Sequence, residues 1–165
     1  KDSVTPTISP SMDIQVSSNF ERALFYAYGQ DGAAVASQMD DLKKGGFTIS
    51  QGAIDALRDT YASGRVSEQE TADTITRYLA EHGELLCPHT AVGAHVGEQH
   101  LGTVPMVTLA TAHPAKFPAA VERATGIHPP LPPRMADLYD RPERITRSAH
   151  DLAAIQGIIK DRIKT

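Results

Sequence analysis

The chain has 165 residues, of which 41% are hydrophobic and 22% are charged, and its formal net charge is −4. This composition is typical of one soluble globular domain, and the negative charge argues against nucleic acids and anionic membranes as partners. The sequence has neither an apolar run of membrane-spanning length nor an apolar signal-peptide core. Its single cysteine excludes an internal disulfide and favours a reducing cytoplasm.

The first half of the chain is predicted to form a series of helices. Capping boxes at Ser18–Glu21 and Ser67–Glu70 predict two helix starts, and Ser50 is expected to cap another helix. A further helix is expected over residues 33–43. Glycines that follow the apolar periodicity are expected to end these helices, and they are Gly29, Gly45, Gly64 and Gly83.

Short apolar runs predict strands, and the second half of the chain adds more helices. The strand candidates are ELLCP (84–88) and VPMVTLA (104–110), and GGFTIS (45–50) is expected to be a short strand or an extended link. The segment 89–101 is predicted to be a helix whose small residues allow a neighbouring backbone to come close. The remaining expectations are a helix over 114–125, a polyproline-like stretch over 126–134, and an amphipathic helix from Ser148 with Leu152, Ile155, Ile159 and Ile163 on one face.

These elements predict an α/β fold that is rich in helices and has few strands of its own. A free-standing doubly wound sheet needs more strands than the two or three expected here. We therefore expect part of an α/β domain whose other strands lie elsewhere. The chain begins with a lysine instead of the initiator methionine, which we interpret as a processed chain or a piece of a longer one.

The segment TLATAHPAKF (108–117) combines a predicted strand end with polar side chains. Ligands of α/β proteins bind outside the carboxyl ends of strands. Thr111 could therefore hydrogen-bond a ring nitrogen or a phosphate, or it could cap the following helix. His113 could act as a general acid or base, or it could bond loop carbonyls.

The segment CPHTAVG (87–93) is a second turn from a predicted strand to a helix. His89 and Thr90 stand at the helix start, where an anion could bind, although Thr90 could equally be an ordinary cap. Cys87 could be a nucleophile or a small buried apolar residue.

The segment SPSMDI (9–14) offers Ser11 and Asp13, and the carboxylate of Asp13 could position a ligand or face solvent. The spacing of His89, His95 and His100 does not place two ligands on one helix face, so we expect no zinc site. The sequence contains neither the dinucleotide-binding glycine motif nor a Walker motif.

Three blocks together carry a family resemblance. SPSMDIQVSSNFERALF, CPHTAVG and TLATAHPAKFPAAV stand in this order and at these spacings in the threonine synthase family. The chain resembles the C-terminal portion of that family over nearly its whole length. The family often has Asp immediately before P-H-T-A-V-G, where this chain has Cys87, so we assign no role to that position.

The resemblance implies a fold-type II enzyme that uses pyridoxal phosphate to convert O-phospho-L-homoserine and water into L-threonine and phosphate. Thr111 matches the position that bonds the pyridine nitrogen in related enzymes. A neutral hydroxyl there leaves this nitrogen largely unprotonated. The other candidate cleft residues have no assigned role, and they are His113, His89, Thr90, Ser11 and Asp13.

The resemblance also implies that this chain lacks the centre of the site. In the family, the Schiff-base lysine and the glycine-rich loop for the cofactor phosphate lie in the N-terminal portion, and Lys116 has no such role. We therefore expect residues 1–165 to be the C-terminal part of the cofactor-binding large domain, with no catalytic residue of its own. Alone, the chain should neither hold pyridoxal phosphate nor make threonine. Its exposed core face should be covered by the N-terminal portion.

Two other functions stay open. One is another fold-type II lyase, such as a threonine dehydratase, although the long SMDI and SNFER block argues against it. The other is a non-catalytic α/β module for binding or assembly. A measurement of substrate specificity would distinguish a dehydratase from a synthase. The length of the open reading frame would distinguish a binding module from an enzyme.

Overall fold

The computed structural model describes residues 5–14 and 16–163, and these residues divide into two compact units. The first unit extends to Pro130 and the second begins at Leu131. Within the described residues of the first unit, the α-helices are α1 (Ser18–Ala27), α2 (Gly32–Lys44), α3 (Gln51–Arg58), α4 (Glu68–His82), α5 (Pro88–Glu98) and α6 (Pro118–Thr125).

Two of the three predicted helix caps are confirmed. Ser67 accepts a hydrogen bond from the amide of Glu70, whose carboxylate bonds back to the amide of Ser67, and Ser50 accepts from the amide of Ala53. The predicted capping box at Ser18 is wrong, because Ser18 is already the first helical residue and the preceding Ser17 makes no side-chain cap bond. A residue with helical dihedrals cannot occupy the extended cap position.

The core of the first unit lies where α4 packs against α5 and α6. Ile75, Ala91 and Val121 are fully buried there. At one edge, Glu98 of α5 accepts from the guanidinium of Arg77 at 2.6 Å and from the hydroxyl of Tyr78 at 2.8 Å. These contacts fix the position of α5 on α4, and α5 begins at the candidate site.

Small residues let two loops approach α5 closely, as the sequence predicts. A Cβ on Gly97 would lie 3.2 Å from Thr108 Oγ1, so the extended segment before Thr111 packs across this face of the helix. On another face, Gly64 packs against Val96, whose two methyl carbons lie 3.0 Å from where a Cβ would be.

The predicted strands at 84–88 and 104–110 are a correction, because no strand occurs among the described residues, and GGFTIS is the link that the sequence also allowed. Residues 46–50, 84–87 and 105–111 are extended but pair with no neighbour. A strand exists only as a member of a hydrogen-bonded ladder, and the described chain supplies no partner. Of the predicted α/β fold, the described residues therefore show the helices and not the strands. Because the segment 104–110 has no partner, its side chains Val104, Val107 and Leu109 are 74–77% exposed.

The predicted helix over 114–125 is two shorter elements. A 3-10 helix covers Pro114–Lys116, and α6 begins at Pro118. Phe117 between them has φ −130° and ψ 52°. A proline disfavours helical dihedrals in the residue before it, so Pro118 breaks the helix and starts a new one.

The second unit contains two 3-10 turns, Pro133–Met135 and Leu138–Asp140, and the helix α7 (Leu152–Ile163). The helix starts later than predicted, and Asp151 accepts a hydrogen bond from the amide of Ala154 at 2.8 Å. The predicted apolar face of α7 is more than 40% exposed at each position, which are Leu152, Ile155, Ile159 and Ile163. Among the helices of the described residues, none is both long and apolar enough to cross a membrane.

Candidate functional site

The first turn of α5 is capped by a sulfur atom. Cys87 is 1% exposed, and its Sγ accepts a hydrogen bond from the backbone amide of Thr90 at 3.4 Å. Pro88 takes the first helical position, where its missing N–H costs nothing. The expectation of a small buried residue at position 87 is confirmed, and the structure adds its capping role. A proline at the first helical position is the signal that identifies its predecessor as the cap.

Thr90 holds a distant segment of backbone. Its Oγ1 accepts the backbone N–H of Thr111 at 3.2 Å and lies 3.2 Å from the sulfur of Cys87. Because Cys87 is the cap, the expectation that Thr90 caps its own helix is wrong. The side chain of Thr90 instead fixes the end of the predicted strand to the start of α5.

Thr111 has an exposed hydroxyl that makes no hydrogen bond within the part of the chain that the structure describes. The alternative that Thr111 caps the next helix is wrong, because His113 does so through its Nδ1, which accepts from the amide of Ala115 at 3.2 Å. The backbone of Thr111 is therefore held while its hydroxyl is available to a ligand.

His113 is exposed and, in this bond, carries its proton on Nε2. A neutral imidazole has one donor nitrogen and one acceptor nitrogen, and Nδ1 is the acceptor. The expected bonds to loop carbonyls are replaced by this bond to an amide. The Nε2–H is left to face solvent or a ligand.

His89 is 5% exposed and joins α5 to the N-terminal segment. Its Nε2 accepts the backbone N–H of Ser11 at 3.1 Å, and its ring lies 4.6 Å from that of Phe117. Nδ1 therefore carries the proton, and it is buried without a partner among the described residues. Burial lowers the pKa of His89, the ammonium of Lys116 lowers it further, and the carboxylate of Asp13 opposes both.

Asp13 closes a turn of its own. Its carboxylate accepts the backbone N–H of Thr7 at 2.7 Å and the hydroxyl of Thr7 at 2.6 Å. The half-buried carboxylate of Asp13 therefore has a local partner and does not simply face solvent, and a ligand contact at this residue stays a prediction. Ser11 is exposed and presents its hydroxyl from the same turn.

The candidate residues fall into two groups, one of which lies around a cleft of about 520 Å³ in the first unit. Cys87, Thr90 and His113 line the cleft. Ala110 and Ala112, the two neighbours of Thr111, also line it, so Thr111 lies at its edge and is not itself a lining residue. His89, Ser11 and Asp13 form a second group and do not line this cleft. Within the part of the chain that the structure describes, no group of three His, Cys, Asp or Glu side chains is arranged to hold a metal ion.

Comparison with known proteins identifies the family. The family model described as threonine synthase, C-terminal, matches residues 90–159. The threonine synthase of Pseudomonas aeruginosa is 45% identical over an alignment of 163 positions, which covers 96% of this chain and 35% of that relative. The chain belongs to the threonine synthase family.

Solved structures agree with this membership. The pyridoxal-phosphate-bound threonine synthase of Brucella melitensis is 47% identical and superposes with a TM-score of 0.88, covering 99% of this chain and 36% of that one. Yeast threonine synthase is 30% identical with a TM-score of 0.81, covering 99% of this chain and 38% of that one. The chain thus spans about a third of the length of the threonine synthases it matches.

The residues present fit one wall of the cofactor site implied for the threonine synthase family. The hydroxyl of Thr111 is a neutral donor or acceptor of the kind that a ring nitrogen needs, and nothing in the described chain satisfies it. Hydroxyl and imidazole groups at the cleft suit a polar ligand, and the apolar Cys87 and Ala112 suit a ring.

Proposed function

We propose that this chain supplies the C-terminal part of a threonine synthase, a pyridoxal-phosphate-dependent lyase that converts O-phospho-L-homoserine and water into L-threonine and phosphate. The observation that carries the proposal is Thr111, whose backbone is fixed by Thr90 and whose hydroxyl is exposed and unpartnered among the described residues. The level of identity to the Pseudomonas and Brucella enzymes supports it.

The cofactor, when bound, would supply an electron sink that makes the C–H next to the amino group of the substrate acidic. Thr111 would hold its pyridine nitrogen with a neutral hydroxyl, which keeps that nitrogen largely unprotonated. His113 and Thr90 would border the ligand, and His89, Ser11 and Asp13 would shape the adjoining wall. None of these residues is assigned a proton-transfer step.

The remaining portion of the enzyme is the proposed partner of this chain. The predicted strand 104–110 would form there, which would restore the α/β architecture expected from the sequence. This assignment accounts for the exposed Val104, Val107 and Leu109, because a large bare apolar surface is unfavourable in water. Residues 1–165 would then be the C-terminal part of the cofactor-binding domain, located in the cytoplasm.

The test uses a composite enzyme, in which this chain follows the part of the Pseudomonas threonine synthase that it does not cover. We expect the composite enzyme to bind pyridoxal phosphate and to release phosphate from O-phospho-L-homoserine. The isolated chain should do neither. Release of ammonia from threonine or serine without phosphate release would support a dehydratase instead, and no turnover of any of these substrates would support a binding module.

A substitution at Thr111 tests the proposed cofactor contact directly. Thr111→Asp in the composite enzyme places a carboxylate against the pyridine nitrogen, which favours its protonated form. We expect a shifted cofactor absorption spectrum and a lower rate, whereas Thr111→Ser should preserve both. An unchanged spectrum and rate in the aspartate variant would reject the assignment.

A further inference from the structure

Two neighbouring side chains in the first turn of α5 hold backbone segments that are far apart in sequence. Thr90 accepts the N–H of Thr111, 21 residues later, and His89 accepts the N–H of Ser11, 78 residues earlier. Both side chains are at least 94% buried. Because each bond is to a main-chain amide, the pair fixes the position of a backbone and leaves the bound residue's own side chain unengaged.

The bond from Thr90 is the one that matters for the candidate cofactor contact. Within the described residues, the backbone of 101–112 makes no hydrogen bond to another backbone group. The hydroxyl of Thr90 is therefore the single hydrogen-bond anchor of Thr111 among these residues. Thr108 packs against Gly97 three residues earlier in the segment, and the Thr90 bond then sets the local position of Thr111 itself.

The anchor is itself held in place. Thr90 Oγ1 lies 3.2 Å from Cys87 Sγ, and that sulfur also accepts the amide of Thr90. These contacts fix the side-chain rotamer of Thr90. Its Oγ1 is therefore held in the position from which it accepts the N–H of Thr111. The three residues Cys87, Thr90 and Thr111 form a chain of contacts from the buried helix start to the edge of the cleft.

We propose that Thr90 is a positioning residue that sets the location of the Thr111 hydroxyl relative to the ring it contacts. Thr90 lines the cleft, and the role that we assign to it is to hold the backbone of Thr111. The inference rests on the proposed function only in naming pyridoxal phosphate as the ligand of Thr111. The restraint on the Thr111 backbone is independent of that ligand.

The experiment compares three variants of the composite enzyme. Thr90→Val removes the acceptor while keeping the shape, and Thr90→Ser retains the acceptor. Thr71→Val on α4 is the matched control, because Thr71 is 2% exposed and its hydroxyl bonds only the Ser67 carbonyl of its own helix. If Thr90→Val lowers the helix content, Thr90→Ala replaces it, since alanine removes the acceptor without placing a second methyl group beside Cys87.

The first readout is the affinity for pyridoxal phosphate, measured by absorbance titration. Losing one hydrogen bond should weaken it about fivefold in Thr90→Val. The serine variant and the Thr71→Val control should stay close to the unsubstituted composite enzyme. The second readout is amide hydrogen exchange of the peptide that contains Thr111, measured without cofactor, and it should be about fivefold faster in Thr90→Val alone.

The outcomes separate the inference from the proposed function. Unchanged exchange at Thr111 in Thr90→Val overturns the inference, whether or not the cofactor binds. Faster exchange with unchanged cofactor affinity also overturns it, because the restraint would then not position a ligand contact. If the unsubstituted composite enzyme takes up no pyridoxal phosphate, the proposed function fails, and the ligand role assigned to Thr90 fails with it.

Discussion

At the start of α5, a thiol occupies a position where oxygen-bearing side chains are the usual caps. Sulfur is a weak acceptor, and the 3.4 Å distance to the amide of Thr90 is correspondingly long. The family resemblance associates this position with Asp, which is a strong cap. Cys87 therefore caps the helix as an aspartate would, but without a charge, which suits its nearly complete burial.

The cap can be tested by removing the sulfur. Cys87→Ala should lower the free energy of unfolding by about 1 kcal/mol, the usual loss for an N-cap. Cys87→Ser should stay within about 0.5 kcal/mol of the unsubstituted chain, because its oxygen also accepts. Urea unfolding followed by circular dichroism measures both. The matched control is Ser17→Ala, since Ser17 precedes α1 without a cap bond, and an equal loss there would refute the role of Cys87.

The buried imidazole of His89 makes the first unit sensitive to acid. Burial and the nearby ammonium of Lys116 lower its pKa in the folded state, partly offset by Asp13. The unfolded chain therefore binds more protons, so stability is full above the ordinary value of 6.5 and falls as the pH drops below it. Protonation also removes the acceptor for Ser11 N–H.

The measurement is the urea midpoint as a function of pH down to about pH 5, where histidine titration dominates. His89→Gln should reduce the slope below the ordinary histidine pKa, because glutamine does not titrate. His100→Gln, at an exposed position, serves as the control and should leave the slope as it is. Equal slopes in the unsubstituted chain and His89→Gln would contradict the role of His89.

At the scale of elements, α5 is packed on more than one face without room for added side chains. Its face against α4 carries Ala91 and Ala94, which are almost fully buried. Its Val96 contacts the loop at Gly64, and its Gly97 faces Thr108. Small residues are therefore required both on the helix and on the loops that cross it.

Gly64→Ala tests this close packing. The new Cβ would meet two methyl carbons of Val96 at 3.0 Å, and valine is stiff about χ1, so the loop must move. We expect a loss of about 1 to 3 kcal/mol in the free energy of unfolding. Gly102→Ala is the control, because its Cβ would meet nothing within 4 Å. Equal stability of the two variants would contradict tight packing at Gly64.

The sequence predicts the helices well because their signals are local. Ser67 and Glu70 are three residues apart, and Gly83 takes the left-handed conformation that ends α4. The strands fail because pairing depends on partners that no local pattern contains. The break at Phe117 was predictable from Pro118, but the apolar periodicity of the surrounding residues concealed it.

The candidate site is harder to predict than the helices for the same reason. Thr111 is identified by its place at the end of an apolar segment and by the family resemblance. Its anchor on Thr90 and the bond from Ser11 to His89 join residues 21 and 78 positions apart. No spacing rule in a single sequence pairs such residues, so these contacts are known only from the folded chain.

At the scale of the whole molecule, large apolar side chains are exposed in both units. Val104, Val107 and Leu109 are at least 74% exposed in the first unit, and Leu152 and Ile163 of α7 are at least 70% exposed in the second. Exposed apolar patches of this kind mark interaction surfaces. Relatives about three times as long supply the polypeptide that would cover them under the proposed function.

Val107→Lys tests whether the extended segment is covered in the composite enzyme. Val107 is 77% exposed, so the isolated chain should keep its helix content, as measured by circular dichroism. In the composite enzyme the lysine would be buried without a counter-ion, which is costly, and we expect little soluble protein. Gln99→Lys adds the same charge at an exposed polar position and should be tolerated. Normal assembly of the Val107→Lys composite enzyme would contradict the proposed strand.

The bonds from Thr90 to Thr111 and from His89 to Ser11 span different lengths of chain, and this difference predicts the order in which they form. Closing a loop costs more entropy as the loop lengthens, so the contact across 21 residues should form before the one across 78. The segment 5–14 would then dock onto a helical nucleus that is already formed, and it would be the first part to detach. We expect the wall of the cleft around Thr111 to survive transient release of the N-terminal turn.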